Sequence, residues 1–292
     1  MYVLTFDIEE WALARNGRYG TPKKYAEYDT FLDKILDLLD ATSTKATFFC
    51  TGQMAEFFPI VVRTIQSRGH EIGCHSYCHT WMNKMNFKAA ESDTKKAVDA
   101  LEQCIGEKVL CYRAPAFSIG ESNKWMFEIL ASCGITCDAS VFPASRDFGG
   151  FPGFQSQEPC IVDCNGVLIK EFPICLTSVF GKGVAYSCGG YFRFFPFAFI
   201  KSHIIRQDYS MCYFHINDLM PERSGLMSRG EYEDYFKEPG SFMNRVLRYC
   251  KSNIGKSSAW SKLEKLVIGI KYQGVLSSES NLDWSTCPLI KI

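Results

Sequence analysis

The sequence lacks any excess of charge of one sign, since its 32 lysines and arginines are balanced by 32 aspartates and glutamates. A protein without an excess of positive charge has no strong electrostatic attraction to nucleic acid or to an anionic membrane, so neither is expected as a partner. The sequence also lacks an apolar run of about eighteen residues, the length that a membrane-spanning helix needs. Its first residues show no basic segment, long apolar stretch or cleavage site. We therefore expect a soluble cytoplasmic protein with no membrane span.

The common phosphate-binding sequences are also missing. Neither G-x-G-x-x-G nor a Walker A sequence occurs, which removes the usual signatures of dinucleotide and ATP binding. Cysteine is abundant, with 14 residues. Because these are scattered through a long chain with no targeting sequence, we expect most of them to be reduced. Cys74 and Cys78 lie among histidines, a combination that also occurs in structural zinc knuckles. A segment this short would have to wrap too tightly around one ion, so we do not expect a zinc knuckle here.

Short apolar runs rich in β-branched and aromatic residues alternate with helix-like stretches along the chain. This alternation is typical of a parallel sheet covered by helices, either open or closed into a barrel. The predicted strands comprise residues 3–7, 46–50, 71–75, 109–113, 135–139, 167–172 and 211–215. The predicted helices comprise residues 31–39, 59–69, 87–105 and 124–133.

The residues best suited to chemistry lie at the carboxyl ends of different predicted strands. They are Asp7, His75, Arg113, Asp138 and His215. A closed barrel brings that many strand ends to one rim, where barrel active sites lie, whereas an open sheet concentrates its site at one crevice. We therefore predict an α/β barrel. It is interpreted as one domain over residues 1–292, with long rim loops inserted around 143–165 and 221–260.

Two histidines and nearby carboxylates form a candidate divalent-metal site. His75 and His79 are four residues apart, so in a helical or tight turn both imidazoles can face one ion. Asp7 and Glu9 are two residues apart, so in an extended segment both carboxylates point to the same side. Two imidazoles and one carboxylate would leave coordination positions for water, and the second carboxylate could accept a proton from it.

Several segments together resemble one enzyme family. They are Thr5-Phe-Asp-Ile-Glu-Glu10, Ala46-Thr-Phe-Phe, Gly69-His-Glu-Ile-Gly73, His75-Ser-Tyr-Cys-His79, Arg113-Ala-Pro115 and Cys212-Tyr-Phe-His215. In this order, from about residue 3 to residue 219, they resemble the polysaccharide deacetylase family, carbohydrate esterase family 4. The resemblance implies a distorted (β/α)7 barrel of the TIM type and a divalent metal ion, with Zn²⁺ expected.

The resemblance also implies the metal ligands and the proton-transfer groups. Glu9, His75 and His79 would hold the metal, which would polarise an acetyl carbonyl and lower the pKa of water bound to it. Asp7 would be the general base and His215 the general acid. The commonest first motif of the family is Asp-Asp-Gly, but here Ile8 follows the first acid, so the ligand role shifts to Glu9 or Glu10. Strand alternation favours Glu9.

Further roles concern positioning and substrate binding. We predict that Arg113 pairs with Asp7 and that Asp138 orients His215, with Glu171 as second choice for Asp138. A backbone N–H near Ala116 would stabilise the oxyanion, and Trp11 and Tyr191 could stack on sugar rings. Each role has a structural alternative: Arg113 as an ordinary ion-pair residue, His215 as a core histidine, and the aromatic residues as core.

The predicted function is metal-dependent hydrolysis of the N-acetyl group of a sugar or glycan intermediate, in surface polysaccharide synthesis such as that of lipopolysaccharide. An allantoinase-like hydrolase of ureides or cyclic amides is the alternative within the same resemblance. A glycan-binding barrel without turnover is the alternative from another class. The presence of both Asp7 and His215 argues against it, because a binding protein needs neither proton-transfer group.

Overall fold

Short buried strands and the helices that follow them make up most of the computed structural model. It describes residues 1–9, 22–146, 148–179, 181–221, 225–236 and 238–292. The strands are β1 (Tyr2–Ile8), β2 (Thr47–Cys50), β3 (Glu71–Cys74), β4 (Cys111–Tyr112), β5 (Cys137–Asp138), β6 (Cys160–Cys164), β7 (Val167–Glu171), β8 (Thr177–Val179), β9 (Lys182–Val184), β10 (Ser210–His215) and β11 (Leu289–Lys291).

Twelve helices lie within the described residues. They are α1 (Pro22–Ala41), α2 (Gly52–Phe57), α3 (Pro59–Ser67), α4 (Phe87–Ile105), α5 (Met126–Ser132), α6 (Gly189–Phe194), α7 (Phe197–Ile205), α8 (Ile216–Leu219), α9 (Arg229–Phe236), α10 (Phe242–Asn253), α11 (Lys256–Gly269) and α12 (Val275–Asn281). The predicted helix over residues 87–105 is confirmed at both ends. The Asn86 side chain accepts a hydrogen bond from Ala89 N, and Gly106 ends α4 in the left-handed conformation.

The main sheet contains seven strands that run parallel to their neighbours in the order β10-β1-β2-β3-β4-β5-β7. Every one of them overlaps a predicted strand. The α/β fold with a parallel sheet is therefore confirmed. β6 and β11 extend the sheet beyond β7, with β6 antiparallel to β7 and β11 parallel to β6.

The ring of strands is completed irregularly between β7 and β10. Within the described chain these two strands share no ladder; the segment after β7 makes the contacts instead. Tyr209 Oη donates to Pro173 O at 2.8 Å, and Ser187 Oγ donates to Met211 O at 2.7 Å. Side-chain contacts and one isolated parallel bridge, between Cys188 and Tyr213, thus stand in for a strand ladder at this point.

A glycine in β3 sets how closely the strands pack beside the rim. A Cβ atom on Gly73 would lie 2.5 Å from Phe49 Cδ1 and 2.9 Å from Cys111 Sγ. Both neighbours are fully buried, so neither can move without disturbing the core. Glycine at this position therefore lets β2, β3 and β4 pack tightly just before His75.

Two predicted loops contain regular structure. Residues 143–165 end in β6, which forms a hairpin with β7 through Asn165 and Gly166, both at positive φ. Residues 221–260 contain α9, α10 and the start of α11. The apolar residues of α10 recur at helical spacing but do not face a core: Phe242 is 67% exposed and Met243 63%.

Candidate active site

The predicted chemical residues meet at the carboxyl end of the parallel sheet. Asp7 and His215 are register partners on adjacent strands β1 and β10. His75 directly follows β3, and the loop after it turns sharply, with Ser76 at φ 61° and His79 at φ 59°. Ser76 Oγ accepts a hydrogen bond from His79 N at 2.9 Å and thereby stabilises this strained turn. The turn brings the second imidazole back beside the first, with ring centroids 5.2 Å apart.

Glu9, His75 and His79 each direct one ligand atom to a common point. These three atoms all lie within 4.8 Å of one another, and His79 Nε2 is 3.1 Å from Glu9 Oε1. Glu10, the competing ligand, lies outside the described residues, as does Trp11. Spacing of this kind suits ligands that share one cation.

His75 is prepared for metal binding by its tautomer. Its Nδ1 lies 2.7 Å from Arg113 O, and since a carbonyl can only accept, Nδ1 carries the proton. Nε2 therefore presents its lone pair; it is buried and has no hydrogen-bond partner in the described structure. Burial lowers the pKa of His75 to about 4, so the imidazole is neutral. A neutral, oriented imidazole with a buried free lone pair fits a divalent metal ion.

Glu9 is the acidic member of this group. Burial opposes its ionisation, but His215 and His79 outweigh that effect and hold the pKa of Glu9 well below its usual value. Its Oε1 also lies 2.8 Å from His215 Nε2. The carboxylate is thus ionised and available as a ligand between the two rings.

Arg113 holds Asp7, as the sequence predicts. Arg113 Nη1 donates to Asp7 Oδ1 and to Thr5 Oγ1, each at 2.8 Å, and Nε donates to Ala139 O at 3.1 Å. Both members of the ion pair are buried. Asp7 Oδ2 lies 3.8 Å from His75 Nε2, so the second carboxylate oxygen is turned toward the metal ligands.

The predicted partnership of Asp138 with His215 is wrong. Ser140 Oγ donates to Asp138 Oδ1 at 2.5 Å, and Asp138 lies beside Glu171, its register partner on β7. Burial raises the pKa of both carboxyl groups, and the neighbouring Asp138 raises that of Glu171 further. Asp138 and Glu171 therefore form a buried carboxyl pair that joins two strands.

Asp218, which the sequence interpretation missed, orients His215 instead. Its Oδ2 accepts hydrogen bonds from His215 Nδ1 at 2.9 Å and from His215 N at 3.1 Å. The two residues are the N-cap and third position of α8 and form a capping box, a local pattern that could have identified the pair. Burial raises the pKa of Asp218, but the hydrogen bonds and charge of His215, together with the charge of Arg193, outweigh burial and lower this pKa below its usual value.

The contact between Asp218 and His215 predicts a selective effect for Asp218→Asn. Without the charge, the imidazole of His215 loses its preferred tautomer and orientation, so we expect kcat to fall by about 10–100-fold. KM and metal content should change little. Asp218→Glu, which keeps the charge, should retain more activity than Asp218→Asn. Equal losses in both variants, or a parallel loss of metal, would contradict this role.

The sites predicted for substrate contact are separated in the structure. Ala116, at φ 54°, lines the cavity that holds Asp7, Glu9 and His215, whose volume is about 310 Å³. Tyr191 is 47% exposed and lines a neighbouring cavity of about 620 Å³. The structure thus brings Ala116 to the candidate active site and places Tyr191 outside it.

Comparison with known proteins gives two adjacent matches. The model of the polysaccharide deacetylase family matches residues 1–137. This segment is therefore similar to members of that family. A second model, the domain of unknown function DUF3473, matches residues 139–273. The boundary between the two matches falls at β5, and the candidate site draws Glu9, His75 and His79 from the first segment and His215 and Asp218 from the second.

The relatives of known activity match this chain only in part. A peptidoglycan-N-acetylglucosamine deacetylase from Bacillus cereus is 34% identical over 127 residues, which are 41% of this chain and 46% of that protein. A chitin deacetylase from Pestalotiopsis is 29% identical over 92 residues, 30% of each chain. The matched segments thus span less than half of these relatives.

A solved structure matches the whole length of the chain. A protein assigned as a polysaccharide deacetylase from Mycobacterium smegmatis covers 100% of this chain and 92% of its own, with a TM-score of 0.66 and 17% identity. At that identity the likeness establishes the shared fold. Because the likeness covers the whole chain, the shared fold includes both matched segments. Among the described residues, no helix combines the length and apolar character needed to cross a membrane.

Proposed function

We propose that the protein is a metal-dependent hydrolase that removes the N-acetyl group from a sugar or glycan. The observation that carries the proposal is the convergence of Glu9, His75 and His79 on one point, with Asp7 and His215 beside it. The names of the relatives, which deacetylate peptidoglycan or chitin, support the same reaction class. The proposal treats residues 1–292 as one working unit, because its site residues come from both matched segments.

The metal would be held by Glu9 Oε1, His75 Nε2 and His79 Nε2. A divalent cation, with Zn²⁺ preferred, supplies a Lewis acid that polarises a carbonyl and acidifies water. Arg113 O fixes the His75 ring through Nδ1, so this ligand needs no reorientation when the metal binds.

Asp7 is the proposed general base. Its Oδ1 is fixed by Arg113, which leaves Oδ2 facing the metal ligands, where a proton from the attacking water can be accepted. His215 is the proposed general acid. Asp218 holds its Nδ1, so Nε2 can deliver a proton to the departing amine. Two groups beside the ligand cluster can thus divide proton removal from proton donation.

The surroundings of the site favour a saccharide. The cavity at the site shares Trp81 and Phe148 with a neighbouring cavity of about 950 Å³. The two rings lie 4.7 Å apart, centroid to centroid, and offer flat apolar faces beside polar groups. Aromatic faces with nearby hydrogen-bonding groups are suited to sugar rings. The combined space accommodates a substrate larger than one sugar.

Acetate release tests the proposal. Metal-reconstituted protein would be assayed with a panel of N- and O-acetylated saccharides and nucleotide sugars, with allantoin as the control. Acetate from an N-acetylated saccharide is the expected result. Ureide cleavage without acetate release, or saccharide binding without turnover, would contradict it and favour one of the alternative functions.

Removing a metal ligand should separate metal binding from folding. We expect His75→Ala and His79→Ala to weaken binding of Zn²⁺ by at least about 100-fold, since even second-layer substitutions in metal sites cost about 10–100-fold. His203→Ala is the matched control, because His203 lies on α7 with its Nδ1 at Phe199 O. Metal analysis of the purified variants measures the effect. Unchanged metal content in either ligand variant would remove that histidine from the site.

We further propose that the reaction occurs in the cytoplasm, as a step in surface polysaccharide synthesis such as that of lipopolysaccharide. All 14 cysteines are free, and most are buried, a pattern that supports a reducing compartment. Fractionation of cells that produce the native protein tests the location. Recovery with an extracytoplasmic fraction would contradict it.

A further inference from the structure

We propose that the substrate carries a negative group, a phosphate or a carboxylate, which Arg146, Arg245 and Arg248 bind beside the metal ligands. This inference rests on the proposed function, because it names the class of acetylated saccharide that the same site accepts. All three arginines line the cavity that contains Asp7, Glu9 and His215. A guanidinium recognises phosphate and carboxylate through paired N–H donors.

The acidic groups that the structure describes around this cavity do not account for the arginines. Asp7 is paired with Arg113 at 2.8 Å, and Glu9 with His79 at 3.1 Å and His215 at 2.8 Å. Asp218 is likewise engaged by His215 at 2.9 Å and by Arg193 at 3.5 Å. Each carboxylate thus already has cationic partners, and a metal ion would compensate Glu9 further.

None of the three arginines forms an ion pair with a carboxylate among the described residues. Arg245 Nη1 donates to Met227 O at 3.1 Å, while Arg245 Nε is enclosed and has no hydrogen-bond partner in the described structure. An enclosed donor without an acceptor is costly. An anionic ligand in the cavity would supply the acceptor and the charge that this guanidinium lacks.

The other two guanidinium groups are held by ring faces. Arg146 lies over the rings of Phe142 at 4.7 Å and Phe117 at 5.0 Å, and Arg248 lies over Phe236 at 4.2 Å. Stacking uses the face of a guanidinium and leaves its N–H edge free for a ligand. The arginines are therefore positioned in advance for recognition without being neutralised.

The arginines reach the cavity from two separate segments of the chain. Arg245 and Arg248 are three residues apart on α10, so they share one face of that helix. Arg146 comes from the segment after β5 and also lines both neighbouring cavities, of about 950 and 620 Å³. A negative group bound between them would hold the sugar at the metal site while the rest of the substrate extends outward.

Binding to metal-free protein tests the inference without requiring turnover and without contact between the anion and a metal. Calorimetry on the chelated full chain would use N-acetylglucosamine 1-phosphate, N-acetylmuramic acid and neutral N-acetylglucosamine as probes. We expect at least one charged probe to bind about 10-fold or more tightly than the neutral one, with this preference falling as salt rises. A preference for the phosphate or for the carboxylate probe identifies the source of the charge.

Variants assign the preference to these side chains. Arg245→Gln and Arg248→Gln should each lower affinity for the preferred charged probe by about 10-fold while changing affinity for the neutral probe less than about 2-fold. Arg206→Gln, on the exposed end of α7, is the matched control and should change neither. Equal affinity of wild type for all probes, or equal losses for charged and neutral probes, would overturn the inference. Absence of acetate release from metal-loaded wild type would instead count against the proposed function alone.

Discussion

Asp7→Asn is expected to lower the rate of acetate release by about 10²–10⁴-fold, the usual contribution of a positioned proton-transfer group. Asparagine keeps the shape of the side chain and an oxygen that can accept from Arg113 Nη1, now 2.8 Å from Asp7 Oδ1. It removes the oxygen that faces His75, where the proton would be accepted. The variant should therefore fold and bind metal, yet fail in the chemical step.

Three measurements define this result. Metal content should stay near that of wild type, because Asp7 is not among the three proposed ligands. KM should change far less than kcat, since the lost group acts on water rather than on the substrate. Asp99→Asn, at an exposed position of α4, is the matched control and should leave metal content, KM and kcat unchanged. An Asp7→Asn protein that releases acetate at near the wild-type rate would remove Asp7 as the base.

Strand-end residues were predictable from the sequence because their positions follow from strand periodicity. Asp7, His75 and His215 end strands whose apolar runs are unmistakable, and parallel strands place their carboxyl ends on one rim. The ion pair between Arg113 and Asp7 was predicted from the family resemblance, and the contact is present at 2.8 Å. Long, regular apolar patterns and ordered motifs thus determined most of the site.

The partner of His215 was not predictable in the same way. Asp138 ends a strand, as expected, but its carboxyl group packs against Glu171 within the core. Asp218 reaches His215 through the first turn of α8, a contact three residues away along the chain. Strand periodicity carries no information on such a turn, whereas helix capping does. The pairing therefore depended on where one short helix begins.

Other elements of the fold were not predicted, for local reasons. Asn165 and Gly166 lie between two alternating apolar segments and indicate a hairpin. Proline and glycine dominate the residues before them, which favours a loop there instead. The helix α10 was not predicted, although Phe242, Met243, Val246 and Leu247 recur at helical spacing, a pattern that indicates a helix even where its apolar face is exposed. Arg245 and Arg248 lie on this helix.

Arg113→Met is expected to destabilise the protein by about 3–5 kcal/mol, the usual cost of removing one partner of a buried ion pair. The guanidinium is fully buried, donates to Asp7, Thr5 and Ala139, and lies 4.3 Å above the Phe49 ring. Methionine fills part of the space but leaves the Asp7 carboxylate buried without its cation. The midpoint of urea unfolding should therefore fall with little change in the slope of the transition.

The double variant Asp7→Asn/Arg113→Met identifies the cause. If the cost arises from an uncompensated charge, replacing Asp7 by a neutral side chain should recover at least about 1 kcal/mol relative to the sum of the single variants. Arg68→Met is the matched control, because Arg68 pairs with Asp37 and Asp40 near the surface, where such pairs contribute about 0–1 kcal/mol. Additive losses in the double variant would show that Arg113 stabilises the barrel through packing and its other hydrogen bonds, and that the ion pair serves chiefly to position the Asp7 carboxylate.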